Sequence, residues 1–161
     1  MNITQEKRKL QILMHTLGAV PFVPTDLIFD YDSTIAHVPI DWPSARIKFR
    51  DYLTPLIPGF NLADEMRVDE MEAAVLQQTD LAPSRVFQYR ESLESALSGK
   101  HNPIHEVVSL IRVVQQRPDL RLFIVSNNLT ATVRDGLEQL KLLDYFTDIY
   151  GVDTVGLPKP D

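Results

Sequence analysis

The sequence contains no cysteine, no long apolar run and no excess of positive charge, and each absence excludes a class of protein. Without cysteine there is no disulfide framework, no thiolate nucleophile and no cysteine-based zinc site. No stretch approaches the roughly 18 apolar residues that a membrane-spanning helix needs. The net charge of −6 argues against nucleic acid as a partner, because phosphate binding requires a clustered positive surface.

The remaining composition is that of an ordinary soluble globular protein. The 161 residues are 44% hydrophobic and 24% charged, and this length suits one domain, or one domain with a small insertion. The absence of cysteine fits a reducing compartment. We therefore expect a cytoplasmic protein that binds neither membranes nor nucleic acid.

Apolar periodicity predicts strands that alternate with helices. Residues 26–31 form the first strand, which is apolar on both faces in the manner of a central parallel strand. Further strands are predicted at 121–125 and 148–152, with an amphipathic helix around 107–114 and another helix that has Asn128 as its N-cap. This order predicts an α/β fold with a doubly wound, Rossmann-like parallel sheet.

A helical block interrupts that alternation. Helices are predicted from Pro43 to Leu53 and over 62–78 and 83–98, between the first two strands. The predicted organisation is therefore a helical extension at 1–24, which holds a helix over 4–17, an α/β core and a helical insertion at 39–99. The core consists of residues 25–38 and 100–161.

Polar residues follow each predicted strand, at the edge where parallel sheets bind ligands. Asp30 can attack phosphorus, while Asp32 can protonate a leaving oxygen and later deprotonate water. Two close carboxylates also attract Mg²⁺. Ser126 and backbone N–H groups can hold phosphate oxygens, and Lys159 supplies a positive charge. Together these residues indicate metal-assisted phosphoryl transfer through an aspartyl-phosphate.

Three segments resemble the motifs of the haloacid dehalogenase-like (HAD) hydrolases. Residues 30–34 (DYDST) resemble the DxDxT nucleophile motif, and residues 123–128 (FIVSNN) resemble the second motif, an apolar strand ending in Ser or Thr. Residues 156–161 (GLPKPD) are similar to the third motif, which carries a lysine. Residues 143–151 (LDYFTDIYG) resemble the lead-in to that lysine in the phosphoglycolate-phosphatase-like branch. The resemblance covers residues 26–161.

The resemblance implies a role for each matching residue. Asp30 would be the nucleophile and a Mg²⁺ ligand. Asp32 would be the general acid and base, and its backbone carbonyl would be a second Mg²⁺ ligand. Ser126 and Asn127 would bind the phosphoryl group, Thr34 would brace the phosphate-binding loop, and Lys159 would stabilise charge. Since the family's dehalogenases lack the second aspartate, Asp32 favours a phosphatase of a small phosphorylated metabolite. The helical insertion corresponds to the family's cap.

The family has a fourth motif, an acidic pair that follows a further strand and completes the metal site. This motif has no counterpart in the sequence before Asp161. We therefore expect a chain truncated before this motif, with weak Mg²⁺ binding and little turnover. Its first strand would lie on an exposed sheet edge that favours self-association. The alternative function is a non-catalytic HAD-like binding or regulatory module or fragment, or a receiver-like domain in which Asp30 only accepts phosphate.

Several other polar residues have ordinary structural interpretations. His101 and His105 show no ligand spacing and are expected at the surface, with Pro103 marking a helix start. Trp42 is expected to pack within the insertion. Three arginines of the insertion could contact a substrate, but each is expected to be a solvated helix residue: Arg46, Arg50 and Arg90.

Overall fold

The structure, a computed structural model, describes residues 25–156, 158 and 159. The predicted helical extension at 1–24, with its helix over 4–17, lies outside the described residues. The described elements follow one another in this order: β1 (Asp26–Phe29), β2 (Ala36–His37), α1 (Trp42–Leu53), α2 (Val68–Gln78), α3 (Pro83–Ser95), β3 (Asn102–Pro103), α4 (His105–Val114), β4 (Arg121–Val125), α5 (Thr130–Leu140), β5 (Asp148–Tyr150) and α6 (Val152–Val155).

A parallel sheet of three strands forms the centre of the fold, in the order β1-β4-β5. Asp26 of β1 lies opposite Arg121 of β4, and Phe123 of β4 lies opposite Asp148 of β5. The predicted α/β class with a parallel sheet is confirmed. A separate two-stranded antiparallel pair, β2 with β3, lies outside this sheet.

Strand β1 is at the edge of the sheet within the described residues, where its one partner is β4. Ile28 is 69% exposed, so the strand is not the doubly covered central strand that its apolar run suggests. The expectation of an exposed edge is confirmed for this part of the chain. The strand also ends at Phe29, earlier than predicted, because the next residues enter a turn in which the N–H groups of 34–36 all donate to the carbonyl of Tyr31.

Helices α4 and α5 contribute the main apolar core together with the middle strand. Leu122 and Ile124 of β4 are buried, and so are Ile111 of α4 and Leu137 of α5. The amphipathic helix around 107–114 is confirmed. The prediction of Asn128 as an N-cap is wrong: Leu129 occupies the N-cap position without a side-chain cap, because the Asn128 side chain is buried in other hydrogen bonds.

Helices α1 to α3 (residues 42–95) form what we call the three-helix segment, which has an apolar cluster of its own. Phe49 and Leu53 of α1 pack with Met71 of α2 and Val86 of α3. Trp42 packs against this cluster, as expected. Helix α2 begins at Val68 rather than near 62, because Glu70 accepts the backbone N–H of Arg67 at 2.8 Å and fixes the helix start there.

The ends of three other elements differ from prediction by a few residues. Helix α3 ends at Ser95 instead of 98, β5 ends at Tyr150 instead of 152, and α4 begins at His105 rather than at Pro103. At the end of β5, Gly151 donates its N–H to Thr130 Oγ1 at 3.1 Å, which turns the chain into α6. In the part of the chain that is described, no helix has the length and apolarity to cross a membrane.

Candidate active site

Two predicted catalytic residues lie together at the carboxyl ends of β1 and β4. Lys159 Nζ lies 2.8 Å from Asp30 Oδ1, and it also donates to the carbonyl of Val125 at 2.8 Å. The backbone N–H of Tyr31 donates to the same carboxylate oxygen at 2.8 Å. Among the described residues no donor reaches Asp30 Oδ2, and the side chain is 44% exposed. Asp30 therefore presents one free carboxylate oxygen beside a positive charge.

Asp32, two residues after Asp30, is held in a tight turn. Asp32 Oδ1 accepts the backbone N–H of Val38 at 3.0 Å, and the side chain is half-buried. Ser33 has a φ of 61°, in the left-handed region that costs a non-glycine residue roughly 1–2 kcal/mol. Thr34 donates its backbone N–H to the Tyr31 carbonyl, and its hydroxyl makes no hydrogen bond to the described residues.

The two predicted phosphate ligands after β4 are engaged with protein groups. Ser126 is 3% exposed, and its hydroxyl donates to Asn128 Oδ1 at 3.2 Å while accepting the Asn128 N–H at 3.1 Å. Asn127 Oδ1 accepts the backbone N–H of Lys159 at 2.7 Å. Asn127 thus fixes the segment that carries the lysine, and Ser126 shapes the loop in which it lies.

The oxygen atoms of Asp30 and Asp32 are the kind of metal ligand that Mg²⁺ prefers. This ion takes oxygen ligands and is commonly bound through one or two carboxylates, with water and substrate phosphate completing its shell. Within the described residues there is no cluster of three or more acidic or histidine side chains that could hold a metal. The residues present therefore fit Mg²⁺ in the kind of ligand that they offer.

A buried ion triad connects the three-helix segment to the loop after β4. Arg90 pairs with Glu72 at 2.5 Å and with Glu94 at 2.9 Å, and all three side chains are buried. Glu94 also accepts the backbone N–H of Leu129 at 3.1 Å. The prediction that Arg90 is a solvated helix residue is wrong, because two carboxylates compensate its charge and allow its burial.

The titration properties of the triad follow from its burial. Burial raises the pKa of Glu72 to about 7, although Arg90 alone would lower it. Burial acts to lower the pKa of Arg90, but the two carboxylates outweigh it and raise that pKa. Within the described residues, Glu72 Oε1 is buried without a hydrogen-bond partner. Such an orphaned acceptor favours a carboxyl group that keeps its proton.

His101 is a second buried polar residue that sequence reasoning placed at the surface. It is 2% exposed, and its Nδ1 lies 2.7 Å from the hydroxyl of Tyr31, the residue between Asp30 and Asp32. Burial lowers the pKa of His101. A side chain at position 136 would collide with the Tyr31–His101 pair. Because Gly136 of α5 has no side chain, the pair can pack against the helix there. His105 is exposed, as expected.

A cavity of about 400 Å³ lies between the three-helix segment and the loop after β4. Its lining includes Trp42 and Arg46 of α1, Arg90 of α3 and Asn127 of the loop. Asn127 also binds the backbone of Lys159, so one lining residue connects the cavity to the segment that carries this lysine. Arg46 and Arg50 are half-buried, and Arg50 is paired with Asp64.

A family model described as haloacid dehalogenase-like hydrolase matches residues 58–161. The chain belongs to this family. The matched range begins after Asp30–Thr34, so the role of that loop depends on the resemblance of its motif and on the geometry above. No curated protein matches the sequence.

Solved structures of HAD proteins are similar to this chain. A HAD-superfamily hydrolase from Ehrlichia chaffeensis is 21% identical (86% of this chain, 67% of that chain, TM-score 0.48). A protein from Lactobacillus plantarum, assigned as a phosphoglycolate phosphatase, is 19% identical (85% of this chain, 66% of that chain, TM-score 0.47). A Bacillus subtilis protein, assigned as a HAD hydrolase and solved with bound magnesium, is 21% identical (84% of this chain, 67% of that chain, TM-score 0.43). The chain thus spans about two thirds of the length of these proteins, and such distant likenesses assign no substrate.

Proposed function

We propose that this chain is a Mg²⁺-dependent phosphatase of a small phosphorylated metabolite, and that Asp30 forms an aspartyl-phosphate. The observation that carries the proposal is the position of Lys159 Nζ, 2.8 Å from Asp30 Oδ1, beyond the carboxyl ends of the parallel strands. A lysine in that place offsets the charge of the nucleophile and of an incoming phosphate, which would otherwise repel each other.

The first half of the proposed reaction forms the covalent intermediate. The free oxygen of Asp30 attacks phosphorus, the bond from phosphorus to the leaving oxygen breaks, and Asp32 donates its proton to that oxygen. Lys159 remains ion-paired at the other Asp30 oxygen and orients the carboxylate. The Asp30 side chain and the Asp32 backbone carbonyl would hold Mg²⁺, and the bound ion would neutralise charge on the phosphoryl oxygens.

The second half returns the enzyme to its starting state. Asp32, now a carboxylate, takes a proton from water, the water oxygen attacks phosphorus, and the bond to Asp30 breaks to release inorganic phosphate. Asn127 acts in this scheme by fixing Lys159, and Thr34 braces the phosphate-binding loop. We propose Ser126 as a phosphoryl ligand, which requires its hydroxyl to leave Asn128 when substrate binds.

The three-helix segment is proposed to act as the cap that covers the site and selects the substrate. Its own apolar cluster supports this assignment, since a unit with a separate core can move against the sheet. We also propose a cytoplasmic location and self-association through β1.

Hydrolysis of p-nitrophenyl phosphate, measured with and without Mg²⁺, tests the proposed function. We expect slow turnover that EDTA abolishes and that Asp30→Asn reduces by at least about 10³-fold, because the amide is not a nucleophile. Asp26→Asn is the matched control, since Asp26 lies at the other end of β1 and pairs with Arg121. Turnover that survives Asp30→Asn contradicts the proposal, and no turnover at all favours the non-catalytic alternative.

A further inference from the structure

The cavity between the three-helix segment and the loop after β4 has apolar walls and three arginines. Trp42, Pro43 and Val68 provide the apolar surface, while Arg46, Arg67 and Arg90 provide the positive charges. Its volume of about 400 Å³ is in the range of sites for small metabolites.

Two of the three arginines are already neutralised by carboxylates. Arg90 pairs with both Glu72 and Glu94 inside the protein. Arg67 binds Asp69, the acidic residue of the cavity lining, through two hydrogen bonds of 3.0 Å each. Neither guanidinium therefore needs an anion from a ligand.

Arg46 differs from the other two arginines. Within the described residues it forms no ion pair, and its Nε is buried without a hydrogen-bond partner. A positive charge that lines a cavity without a protein counter-ion favours a ligand that brings a negative charge. A guanidinium presents parallel N–H groups that match the two oxygens of a carboxylate.

The rest of the cavity indicates which kind of molecule carries this carboxylate. Trp42 offers an aromatic surface whose ring also contacts the Arg90 guanidinium at 5.6 Å from the ring centre. Asn127 lines the cavity and binds the Lys159 backbone, so a molecule in the cavity extends towards Asp30.

From this arrangement we infer that the cavity binds the leaving-group part of the substrate, and that this part is a flat or apolar body bearing a carboxylate that Arg46 binds. The inference rests on the proposed phosphatase function for the identity of the other end of the substrate, the phosphate. The carboxylate site itself depends only on Arg46 and the walls of the cavity.

Binding can be measured without turnover, because Trp42 is the single tryptophan of the chain and its fluorescence reports directly on the cavity. The probes are phenylphosphonate and 4-carboxyphenylphosphonate, which differ only in the carboxylate. We expect the carboxylated probe to bind about tenfold more tightly to the unmodified protein, as for one charge-assisted contact. Arg46→Gln should reduce this preference to less than about threefold.

Arg85→Gln is the matched control, because Arg85 is an exposed arginine of the three-helix segment outside the cavity lining. It should retain the full preference. Equal binding of both probes to the unmodified protein, or a preference that persists in Arg46→Gln, overturns the inference.

Turnover of phenyl phosphate and 4-carboxyphenyl phosphate separates the inference from the proposed function. If neither ester shows Asp30-dependent hydrolysis while the fluorescence preference persists, the proposed function fails and the carboxylate site stands. If both esters are hydrolysed with equal kcat/KM, the function stands and the inference fails. We expect kcat/KM to be about tenfold higher for the carboxylated ester and this ratio to collapse in Arg46→Gln.

Discussion

The carboxylate of Glu94 accepts the backbone N–H of Leu129 at 3.1 Å and so joins the end of helix α3 to the start of helix α5. Its other oxygen accepts the Arg90 Nε at 2.9 Å. Leu129 is the N-cap residue of α5 and has no capping side chain of its own. A residue of the three-helix segment thus provides the negative charge that a helix N-terminus favours, beside the candidate phosphate-binding loop.

Replacing Glu94 by alanine should destabilise the protein by about 3 kcal/mol, because the buried Arg90 loses a charge partner and the Leu129 N–H loses its acceptor. Urea unfolding measures the loss, and hydrogen exchange should show faster exchange of the Leu129 amide. Glu91→Ala, at an exposed site of the same helix, should change stability by no more than about 0.5 kcal/mol. Equal effects of the two substitutions would show that the Glu94 contacts carry little energy.

Glu72 should make the protein less stable as pH rises, whereas an ordinary salt-bridged acid makes a protein more stable as pH rises. Burial raises its pKa from 4.5 to about 7, so the folded chain holds this proton more tightly than the unfolded chain. The free energy of unfolding therefore falls as pH rises from about 4.5 to about 7, by at most about 1.4 kcal/mol per pH unit from this group. Well above pH 7 both states are ionised and the contribution of Glu72 no longer changes.

Glu72→Gln should remove that part of the pH dependence, because the amide does not titrate. The measurement is a series of urea unfolding curves from pH 5 to pH 8 for the unmodified protein and the variant. Glu91→Gln, at an exposed site, should keep the slope of the unmodified protein. If Glu72→Gln also keeps this slope, the buried carboxyl does not carry the raised pKa.

The parts of this molecule that could be predicted from sequence are those with local signals. The apolar runs within 26–31 and 121–125 predicted parallel strands, and the polar residues that end them predicted a site at one sheet edge. Lys159 could be placed beside Asp30 because a parallel sheet brings its strand ends together. The motif resemblance supplied the assignment of these residues to roles.

The parts that could not be predicted depend on contacts between distant residues. The arginine at 90 and the histidine at 101 look like surface residues in the sequence, yet both are buried against partners far along the chain. The one local signal for the ion triad is the four-residue spacing of Arg90 and Glu94, and this spacing is equally typical of exposed helix faces. Asn128 has the residue type of an N-cap, but the buried Ser126 hydroxyl competes for its side chain.

Self-association should depend on the exposed strand β1. Its outer edge has no partner within the described residues, and Ile28 projects an apolar side chain that is 69% exposed. Sedimentation velocity of the unmodified protein should show association that increases with concentration, and Ile28→Lys should suppress it. Ile47→Lys, which changes a 54% exposed isoleucine on α1, should not. A protein that stays monomeric at every concentration, or an Ile28→Lys variant that still associates, would contradict this prediction.

The most direct test of the central claim is detection of phosphate on Asp30. In Asp32→Asn the general base is absent, so water should attack the intermediate slowly, whereas p-nitrophenolate is a good leaving group and needs little help from an acid. Acid quenching during turnover of p-nitrophenyl phosphate, followed by peptide mass spectrometry, should find a phosphorylated peptide containing residue 30. The double variant with Asp30→Asn should lack it. A phosphoryl group on another residue, or release of nitrophenolate without any phosphorylated peptide, would contradict the account.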